Sequence, residues 1–482
     1  MIGISNTMKY DKKINEESSR LNHHSRTAKV ENIFLLFSIF FGLLFSFIQP
    51  MFFEPDSSFH FDSAMYISNT VVDRTDIGFS GEDYQSMPIP FTKIVDMHEN
   101  GTYFKNFFGT KLPLIHKKDA DSRISNSYGT EHDLRWSNDI MHVVPALGVK
   151  LGYSISPTIG VMVITARLLN VLFFSFTMFF IIKFLKAYKY IFMAVSLTPT
   201  VIQTAASLSY DCYNYISCAV AIMIIINFGV EIKSGKKINL TKFLINFLIA
   251  SVFLFFSKTN SKLLFLGLVA IGTHLLLKKL KIILKSKHLL IAVVLILGGG
   301  ILALSLFYSE QIIFVVKRII YTLLEPYYTV LTTEVISGTT TAAIPYWLYG
   351  IQVAVLTLLF LSYHEEVVPK WMTLGALLLV VLNFFAIMIS YGLDLDFLDS
   401  SERIITGPQG RYFTPFLLLL APAGTLVAQK ITVLKGKWLL RLVVAMSILV
   451  LIVNLGITSI KFYHLNLPMD EYRSGVEHYI FK

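Results

Sequence analysis

Long apolar runs, separated by short polar and mostly basic stretches, recur along nearly the whole chain. The first covers about 32–52. Others follow at about 158–183, 190–208, 211–230, 242–257, 262–278, 287–307, 346–363, 371–391, 411–429 and 438–459. Most reach the roughly 18 residues that a helix needs to cross the hydrocarbon core of a bilayer. The pattern predicts an all-α, polytopic transmembrane helical bundle of about 11 spans.

The polar stretches order these spans. Residues 1–30 form a basic cytoplasmic tail and 31–52 a first transmembrane helix. Residues 53–157 form a large extracytoplasmic loop with amphipathic helices, 158–459 a multi-span bundle, and 460–482 an extracytoplasmic tail. Lys183, Lys186 and Lys189, then Lys233, Lys236, Lys237 and Lys242, then Lys278, Lys279, Lys281, Lys285 and Lys287, and finally Lys430, Lys435, Lys437 and Arg441 all fall on one side. That asymmetry places the N-terminus inside and the C-terminus outside. Its weakest point is 364–370, where Glu365 and Glu366 accompany Lys370. The stretches at 308–345 and 392–410 are the other sizeable outer loops.

Composition agrees with this class. Of 482 residues, 54% are hydrophobic and only 15% charged, against about 25% charged in soluble domains. The formal charge of +10 is that of lysines flanking membrane helices, so a bilayer and not nucleic acid is the expected partner. Cys212 and Cys218 share one apolar run and suggest neither a disulfide framework nor a metal site. Thirty polar residues precede the first apolar run, and no small-x-small cleavage site follows it. That run is expected to be a retained anchor.

The chemistry is expected just after the first span, in Phe53-Glu54-Pro55-Asp56-Ser57-Ser58-Phe59-His60-Phe61. Pro55 ends an incoming helix, and Asp56 or Ser57 can cap a new one. On that helix Phe61, Ala64, Met65, Ser68, Val71 and Val72 share one face. Asp56 and His60 lie one turn apart and can face each other. Asp56 is therefore the leading catalytic candidate, with His60 and Glu54 beside it.

Four further places hold ionisable groups at the outer ends of spans. Arg167 either binds a phosphate or pairs with a neighbouring helix, for instance with Asp211. Tyr210-Asp211 sits at a short outer turn, where Asp211 can bind a hydroxylated substrate, steady Arg167 or cap a helix. Lys258 and Lys262 lie on the outside against the positive-inside bias, which suits either an anion such as a lipid phosphate or snorkelling. Arg411 and Tyr412 follow Gly410, where glycine and a helix N-terminus make an anion site, with interfacial anchoring as the plainer reading. Arg403 and Glu402 lie just before. There is no P-loop, no GxGxxG after a strand, no HExxH and no zinc spacing.

Taken in order, Pro55-Asp56 with His60, Met141-His142-Val143-Val144-Pro145-Ala146-Leu147-Gly148, Ala166-Arg167-Leu168-Leu169-Asn170, Pro199 with Gln203 through Asp211, Lys258, and Gly410-Arg411-Tyr412-Phe413-Thr414-Pro415 resemble a mostly bacterial family of polytopic membrane proteins that share a domain of unknown function. That family in turn looks like the GT-C class of integral-membrane glycosyltransferases. The resemblance covers about 50–420. It departs at Ser57, where the family usually has Glu.

The resemblance implies a transferase on the extracytoplasmic face of the cell membrane, with a polyprenyl-phosphate sugar donor, a glycan or glycolipid acceptor and no cofactor. Asp56 would be the base, with Arg167, Tyr210, Asp211, Lys258, Arg411 and Tyr412 binding substrate. Three other readings stay open. They are a transporter or flippase of lipid-linked saccharide, a glycan polymerase or ligase, and a non-catalytic scaffold, which the Ser57 departure keeps in play.

Overall fold

The computed structural model describes residues 29–72 except Phe53 and Pro55, 97–115 except Glu99, 140–280, 309–324, 333–338, 343–393 except His364, 404–428 except Thr406, and 437–463. The expected tail at 1–28, the span at 287–307, the C-terminal 464–482, and Glu402 and Arg403 lie outside the described residues.

Every regular element among the described residues is helical, as the apolar pattern predicts. In chain order the α-helices of five or more residues are α1 (Val30–Ile48), α2 (Ser57–Ser68), α3 (Val143–Ile155), α4 (Ile159–Phe184), α5 (Lys189–Ser196), α6 (Pro199–Ala205), α7 (Asp211–Lys233), α8 (Leu240–Phe255), α9 (Leu264–Lys279), α10 (Ser309–Leu324), α11 (Tyr346–Leu361), α12 (Lys370–Leu393), α13 (Gly424–Ala428) and α14 (Lys437–Tyr463). Among the described residues six stretches are long and apolar enough to cross a membrane: α1, α4, α7, Thr259–Lys279, α12 and most of α14. Helices α8 and α11 are apolar but shorter.

Two of the expected spans are not continuous helices. The run at 190–208 divides into α5 and α6, because Thr198 is extended ahead of Pro199, which opens α6. The run at 411–429 becomes two tight 3-10 turns, Gly410–Tyr412 and Thr414–Leu420, followed by α13. Pro415 and Pro422 withdraw amide donors from any continuous α-helical ladder there.

The described parts of 53–157 pack against the bundle. Helix α3 lies along α4 at backbone contact, since a Cβ on Gly148 would stand 2.3 Å from Ala166 Cα and one on Gly152 2.6 Å from Met162 Cα. Two glycines four apart thus open a groove for the neighbouring helix. The expected apolar face of α2 is buried in the same cluster, where Phe61, Ala64 and Met65 join Ala146, Val149, Met162 and Val163.

Ion pairs gather the basic stretches at one end of the bundle. Glu231 takes Lys186 and Lys242, Glu366 takes Lys233 at 3.1 Å and Lys370 at 3.2 Å, and Glu31 lies 4.0 Å from Lys189. The ambiguous stretch at 364–370 therefore shares an end with the other lysine-rich turns. Helix α7 carries Lys233 at this end and Asp211 at its first residue, about 33 Å away at 1.5 Å per residue.

Candidate functional site

Asp211 is the hub of the opposite end. The turn before it is held by serine side chains: Ser207 Oγ accepts from Ser209 N (3.0 Å), and Ser209 Oγ accepts from Asp211 N (3.2 Å). One carboxylate oxygen of Asp211 takes the Lys258 ammonium, and the other lies 2.8 Å from Arg411 Nε. Three segments far apart in sequence thus meet on one side chain.

Lys258 is held from behind. Asn214, one turn along α7, accepts from Lys258 N (3.1 Å) and Ser261 Oγ (2.8 Å), which fixes the turn carrying Lys258. The Lys258 ammonium then sits 4.0 Å from the Tyr412 ring centroid and 4.8 Å from that of Tyr210, a cation between two aromatic faces. Burial, opposed by Asp211, still draws Lys258 below the usual lysine range. Tyr391 Oη donates to Tyr412 Oη at 3.3 Å.

Asp56 joins this group without being bonded to it. It holds the N-cap position of α2 in the left-handed region (φ 57°), with no capping hydrogen bond from its side chain. Among the described residues its carboxylate takes no ion pair. Burial raises Asp56 above the ordinary aspartate value of 3.8, while Arg411 pulls it down, Asp211 pushes it up and Lys258 pulls it down. A half-buried carboxylate that retains basicity beside two cations results.

His60 does not turn to the Asp56 carboxylate. Its Nδ1 lies 2.9 Å from His142 Nε2, and both rings meet the Tyr210 ring edge-on, with centroids at 4.8 Å and 5.5 Å. Burial, reinforced by His142, holds His60 well below the usual histidine range, so it stays neutral.

Arg167 and Glu54 form a separate clamp. Arg167 is fully buried, and its guanidinium donates to Gln49 O (2.7 Å), Pro50 O (2.8 Å) and Glu54 Oε2 (3.1 Å). Gln49 O is the C-cap carbonyl of α1, and Pro50 O follows it. Glu54 Oε1 accepts from Leu208 N at 3.2 Å. Arg167 therefore pairs with Glu54 and not with Asp211, and both side chains are spent on chain geometry. The clamp ties the end of α1 to the turn that presents Asp211.

A cleft enclosing about 320 Å³ of empty space, part of it open to solvent, has Asp211 and Arg411 in its wall. Thr200, Thr204, Asn214 and Thr414 add polar groups, and Phe174, Val201, Tyr215 and Pro415 add apolar ones. Lys262 is not part of this assembly, since its ammonium lies over the Phe255 ring. Asn214, Tyr391 and His142 are members that sequence reasoning did not single out for a role. No group of three or more His, Cys, Asp or Glu side chains is placed to hold a metal ion among the described residues.

The family model described as "Predicted membrane protein (DUF2142)" matches residues 37–420, and the chain belongs to that family. The matched segment contains every member of the site and of the clamp. No curated protein and no solved structure matches the chain.

Proposed function

We propose that this member of a membrane-protein family is an integral-membrane, GT-C-like glycosyltransferase that moves a sugar from a polyprenyl-phosphate donor to a glycan or glycolipid on the extracytoplasmic face. The observation that carries this reading is Asp56, a carboxylate without an ion pair among the described residues, electrostatically coupled to two partly buried cations on one aspartate.

In this reading Asp56 takes the proton of an acceptor hydroxyl as its oxygen attacks the anomeric carbon. The bond from that carbon to the donor phosphate breaks, and its electron pair leaves with the phosphate. Lys258 and Arg411 stabilise the charge that develops on that leaving group. Asp211 is a positioning residue: it holds both cations before substrate arrives, one oxygen on the Lys258 ammonium and the other 2.8 Å from Arg411 Nε. Tyr210 and Tyr412 wall the ammonium. Ser57, next in the chain, carries no carboxylate, so the base role rests on Asp56.

Lipid-linked sugars and surface glycan extracted from cells with and without the protein test this. Loss of one sugar from the glycan, with its polyprenyl-phosphate donor accumulating, is the expected result. Unchanged glycan composition, with intact lipid-linked saccharide retained inside the cell, would replace the transferase with a transporter.

A further inference from the structure

Helix α10 has its faces reversed relative to a water-facing helix. Val315, Arg318, Ile319 and Thr322, at i, i+3, i+4 and i+7, are buried, while Ile313, Phe314, Ile320, Tyr321, Leu323 and Leu324 are exposed. The inward side packs on Met388 and Ile405, with Tyr391 against the same cluster. Val315 would touch any Cβ at Gly392, near the end of α12. The outward apolar stripe suits acyl chains better than water.

Arg318 sits on the inward side at 2% exposure. One terminal nitrogen, Nη2, donates to Ile404 O at 2.8 Å, and the guanidinium carbon lies 5.6 Å from the Phe314 ring centroid. Among the described residues the other two nitrogens, Nε and Nη1, are buried without a hydrogen-bond partner. The strap it holds is already fastened by Thr322 Oγ1, which accepts from Ile405 N at 2.7 Å. A buried guanidinium with two open donors lowers stability unless something completes it. Open N–H donors on a guanidinium each take a phosphate oxygen through a charge-assisted hydrogen bond. A phosphate beside an outward apolar stripe describes a lipid.

We propose that Arg318 and the exposed face of α10 form a binding site for a phosphate-headed membrane lipid. It shares no residue with the Asp211 group, although Tyr391 links the two through Tyr412. The site stands whether or not the protein transfers sugar.

Thermal melting of the full chain in detergent reads this directly, with phosphatidylglycerol, polyprenyl monophosphate, diacylglycerol and inorganic phosphate as probes. The two phosphate lipids should raise the melting temperature, and diacylglycerol and inorganic phosphate should not. Arg318→Met should melt no lower than wild type without lipid, yet bind phosphatidylglycerol roughly tenfold or more weakly, as loss of a charge-assisted pair requires. Ile320→Ser, on the outward face, should weaken lipid binding without lowering lipid-free melting, and it decides the matter should Arg318→Met not fold. Undiminished phosphatidylglycerol binding by either variant, or an equal shift with inorganic phosphate, overturns the proposal.

Discussion

Arg411 Nε stands 2.8 Å from Oδ2 of Asp211, across 200 positions of sequence. Lys258 occupies the other oxygen of the same carboxylate, so Asp211 fixes the spacing of two partly buried positive charges. Asp56 supplies a second negative charge to the group and leaves it formally balanced. Asp211 is buried, while Lys258, Arg411 and Asp56 are partly buried around it.

Removing the hub should therefore cost more than removing a spoke. Asp211→Asn leaves Lys258 and Arg411 facing each other with one neutral partner, and should lower stability by about 3–5 kcal/mol. Adding Lys258→Met should recover part of that loss, because the repulsion disappears with the ammonium. Melting temperatures of the two single variants and the double variant check this. Strict additivity would mean that the two side chains do not act as a pair.

Asp56 carries an opposite expectation for stability. Its folded value is raised above 3.8 by burial. A raised carboxyl stabilises the fold fully below the unfolded value, and that contribution is lost as pH climbs through the folded value. At neutral pH Asp56→Asn should consequently melt no lower than wild type. In a transfer assay the acid limb of activity should lie above pH 3.8, with activity rising as Asp56 deprotonates. Melting curves and a pH–rate profile measure the two; a destabilised Asp56→Asn would show that the carboxylate is structural.

Much of this was legible in the chain and some of it was not. Runs such as 158–183 and 371–391 appear as α4 and α12 because uninterrupted apolar length has one solution in a bilayer. The runs at 190–208 and 411–429 looked alike, yet Pro199, Pro415 and Pro422 break them, and local proline chemistry outweighs hydropathy there. At the site, residue types were readable but partners were not. Lys258, Asp211 and Arg411 each stood out as a charge at a span end, and nothing in their spacing joins them. Arg167 was equally visible, but its use was hidden because its partners are backbone carbonyls at the end of α1. His60 looked one turn away to Asp56, while its actual neighbour is 82 residues on.

The clamp predicts a fold defect and not a chemical one. Arg167→Lys keeps the charge but loses the fork that reaches Gln49 O, Pro50 O and Glu54 together, so membrane expression should fall. Glu54→Gln keeps acceptor geometry for Leu208 N and should be milder. Quantitative blotting of membrane fractions separates them. Full expression of Arg167→Lys would show that the clamp does not hold α1 to α4.

Gly148 sets the distance between α3 and α4. Gly148→Ala places a methyl 2.3 Å from Ala166 Cα and should lower stability by about 1–3 kcal/mol as the helices part. Gly350, with open space around its Cβ position, is the control: Gly350→Ala should leave the melting temperature unchanged or slightly raised. Equal behaviour of the two variants would remove the close contact from the description.

The most direct measurement compares cells that carry wild type, Asp56→Asn or no copy of the gene, with the protein quantified in membranes and with surface glycan and polyprenyl-phosphate sugars extracted in parallel. Asp56→Asn is expected at normal abundance with transfer slowed by roughly 10²–10⁴-fold, so that one glycan sugar is lost and its prenyl-phosphate donor accumulates as it does without the gene. Normal glycan from cells carrying Asp56→Asn would contradict Asp56 as the base, and with it the assignment of this site to sugar transfer.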